Sequence, residues 1–283
     1  MILVTGASGK TGRAVITALA AKGQSTRAFV RRPEHAAVLK SLGAAEVHVG
    51  SFDDGDALAR AAAGARAIYH ICPNVSPHEV GYAHAVVTAA KGAGVRRFVY
   101  HSVLHPQIEA MPHHWAKMRV EELLFGADLD LTVLQPTAYM QNILGAWPSI
   151  IAERVFRVPY PVGTRLSLVD LEDVAEAAAL VLASDSHSGA TYELVGSPPM
   201  SQTDVAAAIA TALGRDVRAE EESIAAWEAR ARAGGMGDYE RATLAAMFAY
   251  YAAHGLIGNP NTLGWLLGRA PHSPASFLRR AAA

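Results

Sequence analysis

The sequence predicts an α/β fold: a doubly wound parallel sheet followed by a smaller, mostly helical C-terminal lobe. Three observations predict it. The chain opens on an apolar run, Met1-Ile2-Leu3-Val4-Thr5, that breaks at glycines and passes directly into a helical pattern. Strand-like and helix-like segments then alternate through residue 134, the pattern of a parallel sheet with crossover helices. Beyond that point the alternation stops, and bulky apolar residues recur at helical spacing.

The opening run is β-rich and apolar, as a strand buried on both faces requires. Gly6, Gly9 and Gly12 follow, and residues 13–22 place Val15, Leu19 and several alanines on one helical face that ends at Gly23. A helix N-terminus exposes unpaired N–H groups and a partial positive charge, and a diphosphate satisfies both. In such a turn Gly6 lets the chain leave the strand sharply, Gly9 lets backbone approach the phosphates, and Gly12 lets helix and strand pack closely. Thr5, Ser8, Lys10 and Thr11 complete the cofactor loop. Gly9-Lys10-Thr11 also has the letters of a Walker phosphate loop, but that loop needs a glycine where Val4 stands. The turn therefore predicts a Rossmann-like, dinucleotide-binding core.

Taken in order, residues 25–30 form the second strand, 33–42 a helix, 45–49 the third strand and 54–63 a helix. The fourth strand is 67–71, a helix falls within 77–92, the fifth strand is 96–102, a helix runs from about 113 to 125, and the sixth strand is 129–134. No linker rich in Gly, Ser or Pro interrupts this region. Residues 155–162 and 166–169 then form short strands, and Asp170 caps a helix running to 183 whose acidic first turn suits the helix dipole. From Thr191 the rest is mostly helical, with helices at 201–213, 224–233 and 239–254.

The end of the second strand selects the cofactor. An NAD-binding fold usually places Asp or Glu there for the adenosine 2′-hydroxyl, whereas this chain has Arg31-Arg32-Pro33. A guanidinium can hold a 2′-phosphate in forked geometry, and Arg31 is the residue assigned to it. At about 1.5 to 3 kcal/mol for a charge-assisted bond, NADPH is preferred about 10- to 150-fold over NADH. Asp53 or Phe52 borders the adenine, with Asp53 or Asp54 alternatively a helix N-cap. Cys72 ends the fourth strand at the carboxyl edge where ligands sit; no thiolate-activating neighbour is visible, so it is assigned to the cofactor edge and not to nucleophilic chemistry.

A reductase must supply a proton opposite the incoming hydride, usually from a hydroxyl or imidazole near a lysine. No tyrosine here has a lysine four residues later, but His113 stands four before Lys117, and that spacing puts both on one helix face. Lys117 is the last of five lysines in an arginine-rich chain. These two are the catalytic candidates, with Ser102 at the end of the fifth strand on the cofactor. A metal site from His101, His105, His113 and His114 lacks compact spacing and a placed carboxylate. Residues 135–143 leave the carboxyl edge of the last parallel strands, which assigns Tyr139 to the cofactor and Met140 and Asn142 to the substrate pocket, where His105, after the fifth strand, is also placed.

With 25 basic and 26 acidic residues the net charge is −1, leaving no footprint for nucleic acid or an anionic membrane. The single cysteine excludes an intrachain disulfide and suits a reducing cytoplasm. Met1 leads straight into a strand, which argues against a signal peptide, and the longest charge-free run, 131–152, carries too many Gln, Asn and Pro to span a membrane.

The chain resembles the NmrA-like group of atypical short-chain dehydrogenases, which includes isoflavone reductase-like enzymes and certain quinone oxidoreductases. The carriers are Thr5 to Gly12, Val30-Arg31-Arg32-Pro33, Lys117 followed by Glu121, Leu134-Gln135-Pro136 to Gln141-Asn142, residues 169–174, and the ending 266–271 to Phe277. The resemblance implies an NADP(H)-binding core of 1–150 rejoined by 166–185, with 151–165 and 186–283 as a substrate lobe. It also implies one of two activities. The first is NADPH-dependent reduction of a small apolar electrophile (a quinone, enone or related carbonyl) with Lys117 at the cofactor. The second is a catalytically weak NADP(H)-binding redox sensor acting through a protein partner. A small-molecule substrate is expected, and a homodimer stays open.

Overall fold

The computed structural model of the protein describes residues 1–282. In chain order its elements are β1 (Ile2–Val4), α1 (Lys10–Ala21), β2 (Thr26–Val30), α2 (Ala36–Ser41), β3 (Glu46–Val49), α3 (Gly55–Ala62), β4 (Ala67–His70), α4 (Glu79–Gly92), β5 (Arg97–His101), α5 (Pro112–Phe125), β6 (Asp130–Pro136) and β7 (Ala138–Tyr139). There follow α6 (Trp147–Glu153), β8 (Val155–Val158), β9 (Leu168–Val169), α7 (Leu171–Ala183), β10 (Thr191–Leu194), α8 (Gln202–Leu213), β11 (Arg218–Glu221), α9 (Ile224–Ala233), α10 (Asp238–His254), α11 (Asn261–Leu267) and α12 (Pro274–Ala282). Among the described residues no helix is long and apolar enough to cross a membrane.

The chain divides into two compact units. The first takes Met1–Gln107, His114–Gln135 and Val174–Tyr192. Its sheet runs β10-β6-β5-β4-β1-β2-β3, with β1 to β6 paired in parallel. β1 lies between β2 and β4, and Ile2 is in register with Thr26 on one side and Ala67 on the other. The strand order therefore reverses between β1 and β4. That is the switch point at whose carboxyl edge ligands bind in doubly wound sheets. Ile2, Leu3 and Val4 are buried, as a strand covered on both faces demands, and each contributes about 1.5 to 3 kcal/mol of hydrophobic stabilisation. Ala83, Val86, Val87 and Ala90 of α4 and Val120 and Leu124 of α5 pack into the same core as Leu3, Ile68, Phe98 and Val133.

The second unit takes Ile108–His113, Pro136–Asp173 and Glu193 onward. It holds two small parallel ladders, β7 with β9 and β8 with β11. Trp227 of α9 and Phe248 of α10 meet edge to face at 4.7 Å, with Tyr160 against Phe248 and Tyr251. At the start of α7 two fully buried aspartates gather the chain's last helices. Asp170 accepts from Gln141 Nε2 at 2.7 Å and pairs with Arg280; Asp173 accepts from Arg269 at 2.8 Å and from the His272 amide at 2.7 Å. A buried carboxylate is tolerated only when its lone pairs are taken up in this way.

Several elements depart from expectation. The strand expected over 155–162 stops at Val158, because Pro159 and Pro161 cannot donate to a ladder. The region after Thr191, expected to be mostly helical, supplies β10 to the main sheet and β11 to β8. Each is four residues long, too short to be distinguished by periodicity from helical flanks. The first unit ends at Gln135 and resumes over Val174–Tyr192, where the sequence suggested 150 and 166–185.

Gly6 generates a stability prediction. Its φ is +59°, and a Cβ there would stand 2.6 Å from the Ile71 carbonyl oxygen. Gly6→Ala should lower the unfolding free energy by about 1 to 3 kcal/mol in denaturant titration.

Candidate active site

The glycine loop is built against the end of β4. The Thr5 amide donates to Tyr69 O at 3.0 Å, and the Thr5 hydroxyl accepts from the Ile71 amide at 3.0 Å while lying 2.9 Å from His70 Nδ1. A Cβ on Gly12 would come within 2.6 Å of Ala7 Cα and the Gly6 oxygen, so Gly6 and Gly12 answer to packing within the unit. Gly9 differs. Its φ is −72°, and a Cβ would meet only the Gly6 oxygen, at 3.4 Å, among the described atoms. Packing would accept alanine there, so a glycine suits an approach from outside the chain. Gly9 is the N-cap of α1, whose first turn carries no carboxylate, and Arg13 Nε holds the Ser8 oxygen at 2.8 Å. Lys10 is exposed and Thr11 buried on the first turn. A helix N-terminus with a glycine N-cap and no acid in its first turn, at a switch point, fits a diphosphate.

The ends of β2 and β3 hold the next group. Arg32 is taken up by Glu34 at 3.1 Å and His35 at 3.2 Å, whereas exposed Arg31 has no ion pair among the described residues. Asp54, not Asp53, caps α3, accepting from the Ala57 amide at 2.9 Å. Asp53 accepts from the Ser51 hydroxyl at 3.2 Å instead, and Tyr82 stacks on Phe52 at 4.9 Å. Burial raises the Tyr82 phenol above its ordinary value, with Asp53 next, while Arg31 pulls the other way.

At the carboxyl ends of β4 and β5 lies a buried polar cluster. Lys117 Nζ donates to Glu79 Oε1 at 2.9 Å and to His101 O at 3.3 Å, and stands 5.4 Å from the centre of the Tyr100 ring. The Tyr100 hydroxyl donates to the same Glu79 oxygen at 3.0 Å. His101 Nδ1 is 2.7 Å from the Tyr69 hydroxyl. Burial, reinforced by the Lys117 charge, holds the His70 and His101 imidazoles down to about 3, so both are neutral at physiological pH. Burial raises the Cys72 thiol and the Tyr100 phenol, and Glu79 raises both further. Ser102, assigned to the cofactor from sequence, is buried and donates its hydroxyl to Glu121, which also accepts from Gln135 Nε2 at 2.9 and 3.0 Å.

The remaining sequence candidates fall in both units. His113 is the second residue of α5 and half-buried; His114, beside it, is buried and contacts the His105 carbonyl at 3.2 Å, its pKa lowered by burial to about 4. His105 is half-buried with φ +54°. In the second unit Tyr139 is half-buried, Met140 fully buried and Asn142 exposed. Sequence reasoning missed Glu79, Tyr100 and Tyr82. Glu79 lies 38 residues from Lys117, and an acid in a helix's first turn reads as a solvated dipole partner.

Comparison with known proteins places the chain. The model of the NmrA-like family matches residues 1–272. Quinone oxidoreductase 2 of Escherichia coli is 28% identical over 270 residues, covering 95% of this chain and 94% of the relative. The NAD(P)H azoreductase of Xenophilus azovorans is 29% identical over 290 residues, covering 100% and 98%. The crystal structure of the NADPH-dependent quinone oxidoreductase of Escherichia coli complexed with NADPH superposes with a TM-score of 0.88 at 27% identity, covering 100% of both chains.

The raised Cys72 thiol gives a pH prediction. Since the thiolate is the reactive form, a raised pKa suppresses it across the range where an ordinary thiol ionises. Between pH 7 and 9 the native protein should react with a disulfide reagent at least about 100-fold more slowly than the denatured chain, read by absorbance of the released thiol.

Proposed function

The chain belongs to the NmrA-like family, and from that premise we propose that it is a cytoplasmic NADPH-dependent oxidoreductase reducing a small, largely apolar electrophile, a quinone, an enone or a related carbonyl. The observation that carries the reading is the state of Lys117. An ammonium has three donors. Glu79 and His101 occupy two of Lys117's, and one is left for a ligand. The same unit carries the glycine loop, and relatives of nearly full-length similarity are named as a quinone oxidoreductase and an azoreductase.

NADPH supplies a hydride when bound. Gly6, Gly9 and Gly12, with Thr5, Ser8, Lys10 and Thr11, form the diphosphate cradle, and Arg31 offers its fork to the 2′-phosphate. Asp53 and Cys72 border the cofactor at the ends of β3 and β4. Lys117 gives its remaining N–H to a hydroxyl of the nicotinamide ribose, orienting the ring. His113, four residues earlier on α5, is the proposed proton donor. A quinone demands little from that acid, because its reduced oxygen is already a delocalised phenolate. His105, Tyr139 and Asn142 remain candidates for the cofactor and substrate surface, and Met140, wholly buried, for its support.

Stopped-flow absorbance of the NADPH-loaded protein against a panel of quinones and enones, with NADH as control, tests the reading. Rapid loss of the reduced-nicotinamide signal is expected. A bound cofactor that no member of the panel oxidises would favour the redox-sensor reading. Lys117→Met should slow hydride transfer at least about tenfold in single turnover. Arg31→Ala should weaken NADPH binding by about 10- to 150-fold while leaving NADH within about threefold. Gly9→Ala should keep stability within about 1 kcal/mol yet weaken NADPH binding at least about tenfold, separating a ligand role from a packing role.

A further inference from the structure

The cluster around Lys117 has a charge balance that the proposed chemistry does not by itself require. Glu79 is 4% exposed and lies at the start of α4, where a carboxylate would ordinarily face water. Instead Oε1 accepts from both Lys117 Nζ at 2.9 Å and the Tyr100 hydroxyl at 3.0 Å, and the same carboxylate raises the pKa of the nearby Cys72 thiol. Four other groups facing the pair carry no charge. His70 and His101 are neutral imidazoles, and burial keeps Tyr100 and Cys72 protonated. Glu121, on the same helix as Lys117, is bound by the neutral donors Ser102 and Gln135, and burial raises its pKa. Among the described residues Glu79 is thus the carboxylate in contact with the ammonium.

We propose that Glu79 is a positioning residue that cancels the Lys117 charge beside the nicotinamide and thereby sets the protein's relative affinity for oxidised and reduced cofactor. This rests on the reading that Lys117 meets the nicotinamide ribose. The oxidised ring carries a positive charge and the reduced ring none. A lone ammonium in a poorly solvated interior repels the oxidised form over several ångströms and leaves the reduced form unaffected. Paired at 2.9 Å, ammonium and carboxylate act together as a dipole, whose field fades faster. Glu79 therefore keeps the oxidised product bindable, which keeps bound NADPH a strong hydride donor. It also holds the ammonium in place, together with the His101 carbonyl, so that the remaining N–H keeps its direction.

The test is a binding measurement. Dissociation constants for NADPH and NADP+ are read by titration calorimetry for the wild type, E79Q, E79D, K117M and the E79Q/K117M double variant, with circular dichroism to check folding. E79Q keeps the shape and loses the charge, so the ratio of the NADP+ constant to the NADPH constant should rise at least about fivefold. E79D keeps the charge and should stay within about twofold of wild type, as should the double variant, where both charges are gone. If E79Q alone does not fold, K117M is compared with the double variant, and loss of the carboxylate must again raise the ratio. Equal weakening of both forms, or an unchanged ratio, while K117M alone alters binding or hydride transfer, overturns the role of Glu79 and spares that of Lys117. K117M with wild-type binding and wild-type hydride transfer overturns the placement of Lys117, and this inference with it.

Discussion

The Thr5 hydroxyl accepting the Ile71 amide is the contact on which the first unit's chemistry depends. Two parallel strands that continue in opposite directions around a sheet must part at their carboxyl ends, and something must hold the ends in register once the ladder stops. Here a threonine side chain extends the pairing one step past β1 and fastens it to the residue after β4. With the ends tied, Gly6 can turn at φ +59° against Ile71, Gly12 can seat α1 on the loop, and the N-terminus of α1 points from a fixed place. His70, stacked on Tyr100 at 5.9 Å and in contact with Thr5, links this loop to the polar cluster.

That cluster shows how a fold carries charge where there is little water. A buried ammonium is costly unless paired, and an isolated buried carboxylate is no cheaper. Placing Glu79 against Lys117 offsets both penalties, and the lysine is held by Glu79 and the His101 carbonyl. The surrounding imidazoles, thiol and phenol stay neutral because burial opposes charge on each of them. Among the described residues the ion pair seen there is Lys117 with Glu79, and its geometry comes from the ends of two strands and the faces of α4 and α5.

The second unit meets the same problem differently. Asp170 and Asp173 are fully buried at the start of α7, and the guanidiniums of Arg280 and Arg269 with the His272 amide converge on them from the chain's last hundred residues. Gln141 completes the set, bonding both Asp170 and the Leu171 amide. These contacts are structural, and they explain why a conspicuously acidic stretch, 170–173, belongs to a well-packed region and not to a solvated face.

Much of the fold was legible because it rests on local signals. Glycine spacing after an apolar strand, alternation of strand and helix, and arginines at the end of the second strand are each readable within a dozen residues. The helix that carries Lys117 was legible in its pattern, and Asp170 as a cap, its carboxylate accepting from the Glu172 amide. What sequence could not show was pairing across long separations: that Glu79 would meet Lys117, that the Ser102 hydroxyl would go to Glu121, that Asp54 and not Asp53 would cap α3, or that four residues at 191–194 would complete the sheet. The sequence by itself determined the class of fold and the class of cofactor, because a glycine turn between strand and helix and the residues that end the second strand are local signals. Tertiary structure alone decided which charges are buried together, because that depends on which strand ends become neighbours.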